Sequence, residues 1–286
     1  MPVLLPPALA HFLDALRCPV CRARLRPERH ALRCPAGHTF DIARRGYAGL
    51  LTGSRAISGD DAAMVRARNR FLSTGTYAPV LRALTRLTAD ALPGRGDGST
   101  VMDIGCGTGY YLAGVLDQLP GARGLGLDTS VPALRSAARA HPRAAAASWD
   151  VFRPFPLADR SADVVLDVFA PRNPPEFHRV LRPAGRLIVV RPVARHLAEL
   201  RDRIPAMVTV DPNKEQRLHQ ALDPYFAAID TRQVEYTAPL TGQEAVDLVG
   251  MTPSARHLLS RADPSGHGPL PDRVTVSVLA TSYRPR

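Results

Sequence analysis

Short apolar runs alternate with helix-like runs along most of this chain. Residues 100–104, 124–127, 144–148, 162–169 and 185–190 read as strands, with 162–169 strongly apolar. Between them, 109–118, 131–140, 175–180 and 193–203 carry helical spacing, which is the order of a parallel, doubly wound α/β sheet. Two further β-like runs, 228–236 and 274–283, flank a helix at 242–249 and suit an antiparallel pair closing the sheet. Upstream, helical patterns cover 61–72 and 80–92, followed by a Gly- and Pro-rich turn at 93–99. Residues 1–17 read as a short helix, whereas 18–40 are broken by Cys and Pro and cannot bury a core alone. The expected division is therefore a small Cys-bearing module at 1–56, a helical linker region at 57–98 and a larger α/β domain at 99–286.

Chemistry enters at the N-terminus. Cys18-Pro19-Val20-Cys21 is followed, past an Arg-rich stretch, by Cys34-Pro35-Ala36-Gly37-His38. Two donors separated by two residues can meet one ion from a tight turn, and a second pair completes a tetrahedron. Three thiolates and one imidazole suit Zn²⁺ and leave no open position, so the predicted site at Cys18, Cys21, Cys34 and His38 is structural. Three free thiols beside a surface histidine is the plain alternative. A redox pair lacks the strand–helix setting that such chemistry uses.

The second motif is Asp103-Ile104-Gly105-Cys106-Gly107-Thr108-Gly109, after a predicted strand and opening a helix. By itself a Gly-x-Gly-x-Gly run fits dinucleotide binding, S-adenosylmethionine binding or a mere turn. Context separates these. Asp103 precedes the first glycine, where a carboxylate would repel a pyrophosphate but attract an ammonium or sulfonium. Asp128 ends the next strand, about 20 residues on, where a carboxylate accepts from ribose hydroxyls. Ser148-Trp149-Asp150 ends the third, where an adenine edge would sit. The reading is a Rossmann-like class I S-adenosylmethionine-dependent methyltransferase, with Asp103, Gly105, Gly107, Thr108, Gly109, Asp128, Thr129 and Asp150 around the cofactor. Cys106 is read as a small packing residue.

Charge narrows the partner. The chain of 286 residues carries a net +11, and nearly all the basic residues are arginine. A polyanion is the expected partner, and nucleic acid the commonest. Arg22, Arg24, Arg26, Arg33, Arg44, Arg45, Arg66, Arg68 and Arg70 are the candidate RNA contacts. No run approaches the ~18 apolar residues a membrane-spanning helix needs, and Pro2, Pro6 and Pro7 break any secretory leader. A cytoplasmic protein with no membrane association is expected.

Further stretches make the likeness specific: Thr39-Phe40-Asp41, Arg45–Leu51, Gly75-Thr76-Tyr77-Ala78-Pro79, Phe169–Glu176, Leu181–Gly185, Arg195–Leu200 and Met251-Thr252-Pro253. With the two motifs, they make the chain resemble the large-subunit rRNA guanine-N1 methyltransferases over nearly its whole length, and their macrolide-resistance branch most. A departure is Ala184 where two glycines are usual. The resemblance implies methyl transfer to N1 of a guanine in the hairpin 35 loop of 23S rRNA, a homodimer, and roles for Tyr77 and His196 in closing the cofactor pocket.

Asn173-Pro174-Pro175 resembles the Asn-Pro-Pro-aromatic motif of amino-group methyltransferases, but Glu176 holds the aromatic position; the run reads as a loop and helix start. N1 lies on the Watson–Crick edge, so the target base must be unpaired or flipped out. Asp150 and Asp167 are candidate proton acceptors, and the catalytic base is unassigned. A small-molecule methyltransferase of antibiotic metabolism, a nucleic-acid-binding regulator with a vestigial pocket and an NAD-dependent dehydrogenase are the rival readings.

Overall fold

The computed structural model describes residues 5–53, 59–92, 94, 98–204, 207, 214–252, 255 and 269–286. Pro253, part of the 93–99 turn and residues 1–4 of the expected first helix lie outside these. Seven strands make one sheet: β4 (Thr100–Ile104), β5 (Arg123–Asp128), β6 (Ala144–Ser148), β7 (Ala162–Val168), β8 (Leu181–Pro192), β9 (Phe226–Pro239) and β10 (Arg273–Pro285). Their order is β6-β5-β4-β7-β8-β10-β9. The first five are parallel; β10 runs antiparallel between β8 and β9. The order reverses between β4 and β7, so the crevice outside the carboxyl ends of those strands is where an open α/β sheet binds ligands.

Alternation along the strands feeds two cores. Val101, Val164, Leu166, Ile188 and Val276 point to one face, where they meet α2 (Ala62–Ser73), α3 (Ala78–Asp90) and α4 (Tyr110–Gln118) through Phe71, Leu84, Leu87 and Val115. The expected helical linker at 57–98 thus contributes two helices to the main core. Their ends follow local chemistry: the Asp61 carboxylate accepts from Ala63 N and Met64 N at 2.7 and 2.9 Å, and Pro79 sits in the first turn of α3.

Met102, Ile104, Leu125, Leu127, Val165 and Val189 face the other way. Part of their cover is the N-terminal module, through Leu9, Phe12, Leu16, Leu25, Leu32, Phe40 and Leu50. This module holds a short helix α1 (Pro7–Ala10) and a three-stranded sheet of β1 (Arg26–Glu28), β2 (Ala31–Arg33) and β3 (Thr39–Asp41). The helix is far shorter than the 1–17 pattern suggested, because residues 11–15 continue as turns. Ala48 pairs with Ala147, with Ala48 N donating to Ala146 O at 2.9 Å, so the module also caps the β6 edge. The run Ala144–Ala147, all buried, leaves the space for that approach.

The remaining helices are α5 (Val131–Ala137), α6 (Pro174–Val180), α7 (Ala198–Arg203), α8 (Lys214–Leu222) and α9 (Gly242–Gly250). The helix expected over 193–203 begins only at Ala198, since Leu197 adopts the left-handed φ of 56°. Among the described residues, no helix is long and apolar enough to cross a membrane.

Candidate active site and metal centre

At the N-terminus, two tight turns bring the predicted donors together. Arg22 N donates to Cys18 O at 2.8 Å, and Gly37 N to Cys34 O at 2.9 Å, with Gly37 at φ 87°. The donor atoms of Cys18, Cys21, Cys34 and His38 all lie within 4.8 Å of one another. Cys21 Sγ and Cys34 Sγ are 3.6 Å apart; His38 Nδ1 is 3.3 Å from Cys34 Sγ and 3.6 Å from Cys18 Sγ. Tetrahedral zinc with ~2.3 Å Zn–S bonds spaces its sulfurs by about 3.8 Å, so the four donors fit one Zn²⁺.

The large cavity, about 540 Å³, opens at the carboxyl ends of β4, β5, β6 and β7. Tyr77, Gly105, Gly107, Thr108, Asp128, Thr129, Asp150 and His196 all line it. Asp103, at the end of β4, lies behind the loop, 1% exposed, and among the described residues neither carboxylate oxygen has a hydrogen-bond partner. Burial, and then the carboxylates of Asp128 and Asp167, push its pKa up to about 8. Asp128 is anchored: its Oδ2 accepts from Gly107 N and its Oδ1 from Ser130 N, both at 2.8 Å. Asp150 Oδ1 accepts from Phe152 N at 3.0 Å.

The glycines divide in role. Gly105 has φ 77°, and a Cβ there would lie 2.6 Å from Ala170 Cβ, so the loop after β7 packs directly on the Gly-rich turn. Gly109 also has φ 82°, but a Cβ would meet Ala137 Cα and Ala140 Cβ at 3.0 Å. It caps α4 against α5 and, like Asp103, supports the loop from outside the residues that line the cavity.

Tyr77 and His196 act together. Ser277 N donates to His196 Nδ1 at 3.2 Å, which leaves the proton on Nε2, 3.4 Å from Tyr77 Oη. Burial, then Arg201, lowers the His196 pKa to about 4, so the imidazole is neutral near pH 7. Burial raises the Tyr77 hydroxyl's pKa, keeping it a donor. Sequence reasoning missed several cavity residues. Arg68, expected to contact RNA, reaches into the cavity instead, with Nη2 2.6 Å from Asp60 Oδ2 and 2.9 Å from Met251 O. Arg172 Nε lies 3.2 Å from Asp167 Oδ1, whose side chain is fully buried. Phe169 and Arg201 also line the cavity, and no local sequence signal marks them.

The other candidate RNA arginines separate. Arg22 is a strut, its guanidinium donating to Phe155 O and, at 2.9 Å, to Leu157 O. Arg70 is fixed on Asp247 at 2.5 Å, Arg33 on Glu28 at 3.2 Å, and Arg24 lies 3.8 Å from Asp14. Arg26, Arg44, Arg45 and Arg66 are exposed, with no ion pair among the described residues.

Comparison with known proteins agrees with this geometry. Residues 16–53 match the zinc-ribbon family model described as RlmA, N-terminal, and residues 101–188 match a methyltransferase-domain model. A Streptomyces fradiae protein named 23S rRNA (guanine(748)-N(1))-methyltransferase is 45% identical over 272 residues, covering 94% of this chain and 96% of the relative. A Micromonospora griseorubida protein named as a 23S rRNA (guanine-N(1)-)-methyltransferase is 48% identical over 295 residues, covering 96% of this chain and 98% of its own length. The chain belongs to the 23S rRNA guanine-N1 methyltransferases. Like others of that family, it is an S-adenosylmethionine-dependent enzyme with an N-terminal zinc ribbon and structural zinc. A chain of the solved complex of the Haloferax volcanii Trm112 methyltransferase activator with a methyltransferase aligns at a TM-score of 0.51 and 19% identity. It covers 79% of this rRNA methyltransferase and 96% of that chain, which supports the fold.

The cavity fits the cofactor. A buried carboxylate without a partner suits the ammonium of S-adenosylmethionine, and cofactor binding near neutral pH should therefore release a proton from Asp103. With its pKa at about 8, Asp103 is mostly neutral at pH 6.5 without ligand. A cation beside it favours the ionised form. Titration calorimetry in buffers of different ionisation enthalpy should show release approaching one proton at pH 6.5, falling as pH rises through 8. No buffer dependence at pH 6.5 would contradict this.

Proposed function

We propose that this protein transfers the methyl group of S-adenosylmethionine to N1 of a guanine in the hairpin 35 loop of 23S rRNA, so that macrolide binding is reduced. The observation that carries the reading is the pairing of a zinc ribbon with the Asp103–Gly109 cavity in one chain, together with near-full-length likeness to proteins named for this reaction. When bound, S-adenosylmethionine supplies an electrophilic methyl group on a sulfonium. Asp103 meets its ammonium and Asp128 its ribose hydroxyls, through lone pairs left over from Gly107 N and Ser130 N. Gly105, Gly107, Thr108 and Thr129 let the backbone approach. Asp150 stands at the adenine end, and Tyr77 with His196 closes the opposite wall. Arg68, lying over Gly107, supplies positive charge for the cofactor carboxylate.

The 1–56 module, with Cys18, Cys21, Cys34 and His38 on zinc, carries Arg26, Arg44 and Arg45 toward the rRNA, aided by Arg66. A second copy would widen that basic groove. The N1 proton needs no strong base, because a guanine N1–H is only weakly held; positioning does most of the work. Asp167 is engaged with Arg172, which suits holding a guanidinium more than accepting a proton.

Incubation with labelled S-adenosylmethionine and unmodified 23S rRNA, followed by primer extension, is the test, because N1-methylguanine stops reverse transcriptase. A stop in the hairpin 35 loop is expected. Label transfer with no stop there would move the target, and no transfer to any RNA, with the cofactor bound, would refute the reading.

A further inference from the structure

Five described residues other than glycine have positive φ: Arg22, Arg29, Arg160, Phe169 and Leu197. Two of them, Phe169 and Leu197, line the cavity. Leu197 is buried, but Phe169 remains 36% exposed at φ 56°, immediately after the fully buried strand β7. A bulky side chain held in the left-handed region is rare and persists where surrounding structure over-determines it, most often at functional sites. Here Phe169 N donates to Val190 O at 3.0 Å, and Ala170 is wedged against Gly105. The effect is to turn an aromatic ring off the strand end into the cavity.

That ring is backed on one side. His196 stacks on it at 5.9 Å and 20°, Tyr77 and Tyr111 lie at 6.2 and 6.3 Å, and its exposed third faces the cavity. Three residues further on, Arg172 faces the same cavity. Its Nε is ion-paired with Asp167 Oδ1 at 3.2 Å without hydrogen-bond alignment, and its terminal nitrogens make no hydrogen bond among the described residues. A planar apolar surface beside a pre-aimed guanidinium fork is what one flipped-out purine with an O6/N7 edge requires. Aromatic rings bind unstacked bases by their faces, and Arg pairs bidentately with guanine O6 and N7.

We propose that Phe169 and Arg172 form the subsite for the target guanine, with the base stacked on Phe169 and its O6/N7 edge held by Arg172. Asp167 is the positioning residue that fixes the guanidinium. This arrangement leaves the Watson–Crick edge, and so N1, free to face the cofactor. It also places a cation at O6, where negative charge grows as N1 loses its proton. The proposal rests on the guanine-N1 reading above and adds which residues recognise the base.

The test uses full-length zinc-loaded protein and a hairpin RNA covering the target loop. Phe169→Leu should lower kcat/KM for RNA by roughly 10- to 100-fold, the range expected for losing one stacked base. Phe169→Tyr should recover most of it, and the dissociation constant for S-adenosylhomocysteine should change less than about 2-fold in both. Replacing the target with 7-deazaguanine should cost the wild type roughly 5- to 100-fold but add little to Arg172→Gln. The 7-deaza substrate alone tests N7 recognition if loss of Arg172 weakens folding. Wild-type activity of Phe169→Leu, a loss confined to cofactor affinity, or indifference of the wild type to 7-deazaguanine would each overturn the subsite. Failure of the wild type to methylate the hairpin would refute the functional reading instead. The subsite is then read from 2-aminopurine at the target position in the complex with S-adenosylhomocysteine: its fluorescence should be quenched by the wild type and bright with Phe169→Leu. Equal intensities, or no binding of the hairpin, would overturn it.

Discussion

Stripping the zinc, by chelation or by Cys34→Ser, is expected to lower the Tm by at least ~10 °C and to weaken cofactor binding several-fold. The first effect follows from scale. A structural zinc contributes on the order of 10 kcal/mol to a segment too small to fold alone, and one kcal/mol moves the Tm of a domain this size by about 2–4 °C. Loss of the ribbon would uncover Leu125 and Leu127, which share a core with Leu25, Leu32 and Phe40. The second effect follows from the stitching between ribbon and cavity. Arg17 N donates to Pro156 O at 2.8 Å, Ala158 N donates to Ala15 O at 2.7 Å, and Arg22 holds the carbonyls of Phe155 and Leu157. Phe155 lines the cavity. Thermal unfolding and cofactor titration before and after chelation, with zinc counted in the same samples, check both. An unchanged Tm in demonstrably zinc-free protein would refute the structural role.

The features legible in the sequence are those encoded over short spans. The zinc donors sit in two turns of a few residues each, so spacing alone places them. Asp103 lies at the end of one strand with Gly105 and Gly107 just after it, and Asp128 ends the next, so reading the strands correctly places the Gly-rich loop at the cavity. The strongly apolar β7, interrupted by Asp163 and Asp167, announces a strand buried on both faces. What escaped the sequence depends on partners far along the chain. Arg22 reads as a surface cation until Phe155 and Leu157 arrive from more than 130 residues away. Arg68 meets Met251 across a comparable distance, and Arg70 is neutralised by Asp247. The helical periodicity of residues 61–92 identifies helices but cannot say what they cover, which is why a main-core pair read as a linker. Phe169 gives no local signal of its left-handed turn, because the cause is the packing of Ala170 on Gly105 and the bond to Val190. The resemblance supplied Tyr77 and His196; their coupling through Ser277 N is visible only in three dimensions.

Asp103→Asn should leave the fold intact and raise the dissociation constant for S-adenosylmethionine by at least about 100-fold. The side chain is 1% exposed and the swap is isosteric, so packing is preserved while the only charge change falls beside the proposed ammonium position. Losing a charged partner in a desolvated site costs several kcal/mol, well above what a surface pair would contribute. Stability should move the opposite way, and its pH dependence gives the sign. The folded pKa of about 8 lies above the unfolded value of about 3.9. The contribution of Asp103 to stability is therefore fully present below pH ~4 and is lost as pH rises through 8, because unfolding then releases a proton the folded state retains. Asparagine cannot ionise. The variant should match the wild type at or below pH ~4, exceed it increasingly as pH rises from 4 to 8, and keep that margin above pH 8 in cofactor-free unfolding experiments. The two measurements separate the roles: cofactor affinity reports the ligand contact, and the pH slope reports burial. A variant that bound the cofactor as tightly as the wild type would remove Asp103 from the site. One that was less stable at pH 9 than the wild type would show that the carboxylate has a cationic partner in the fold.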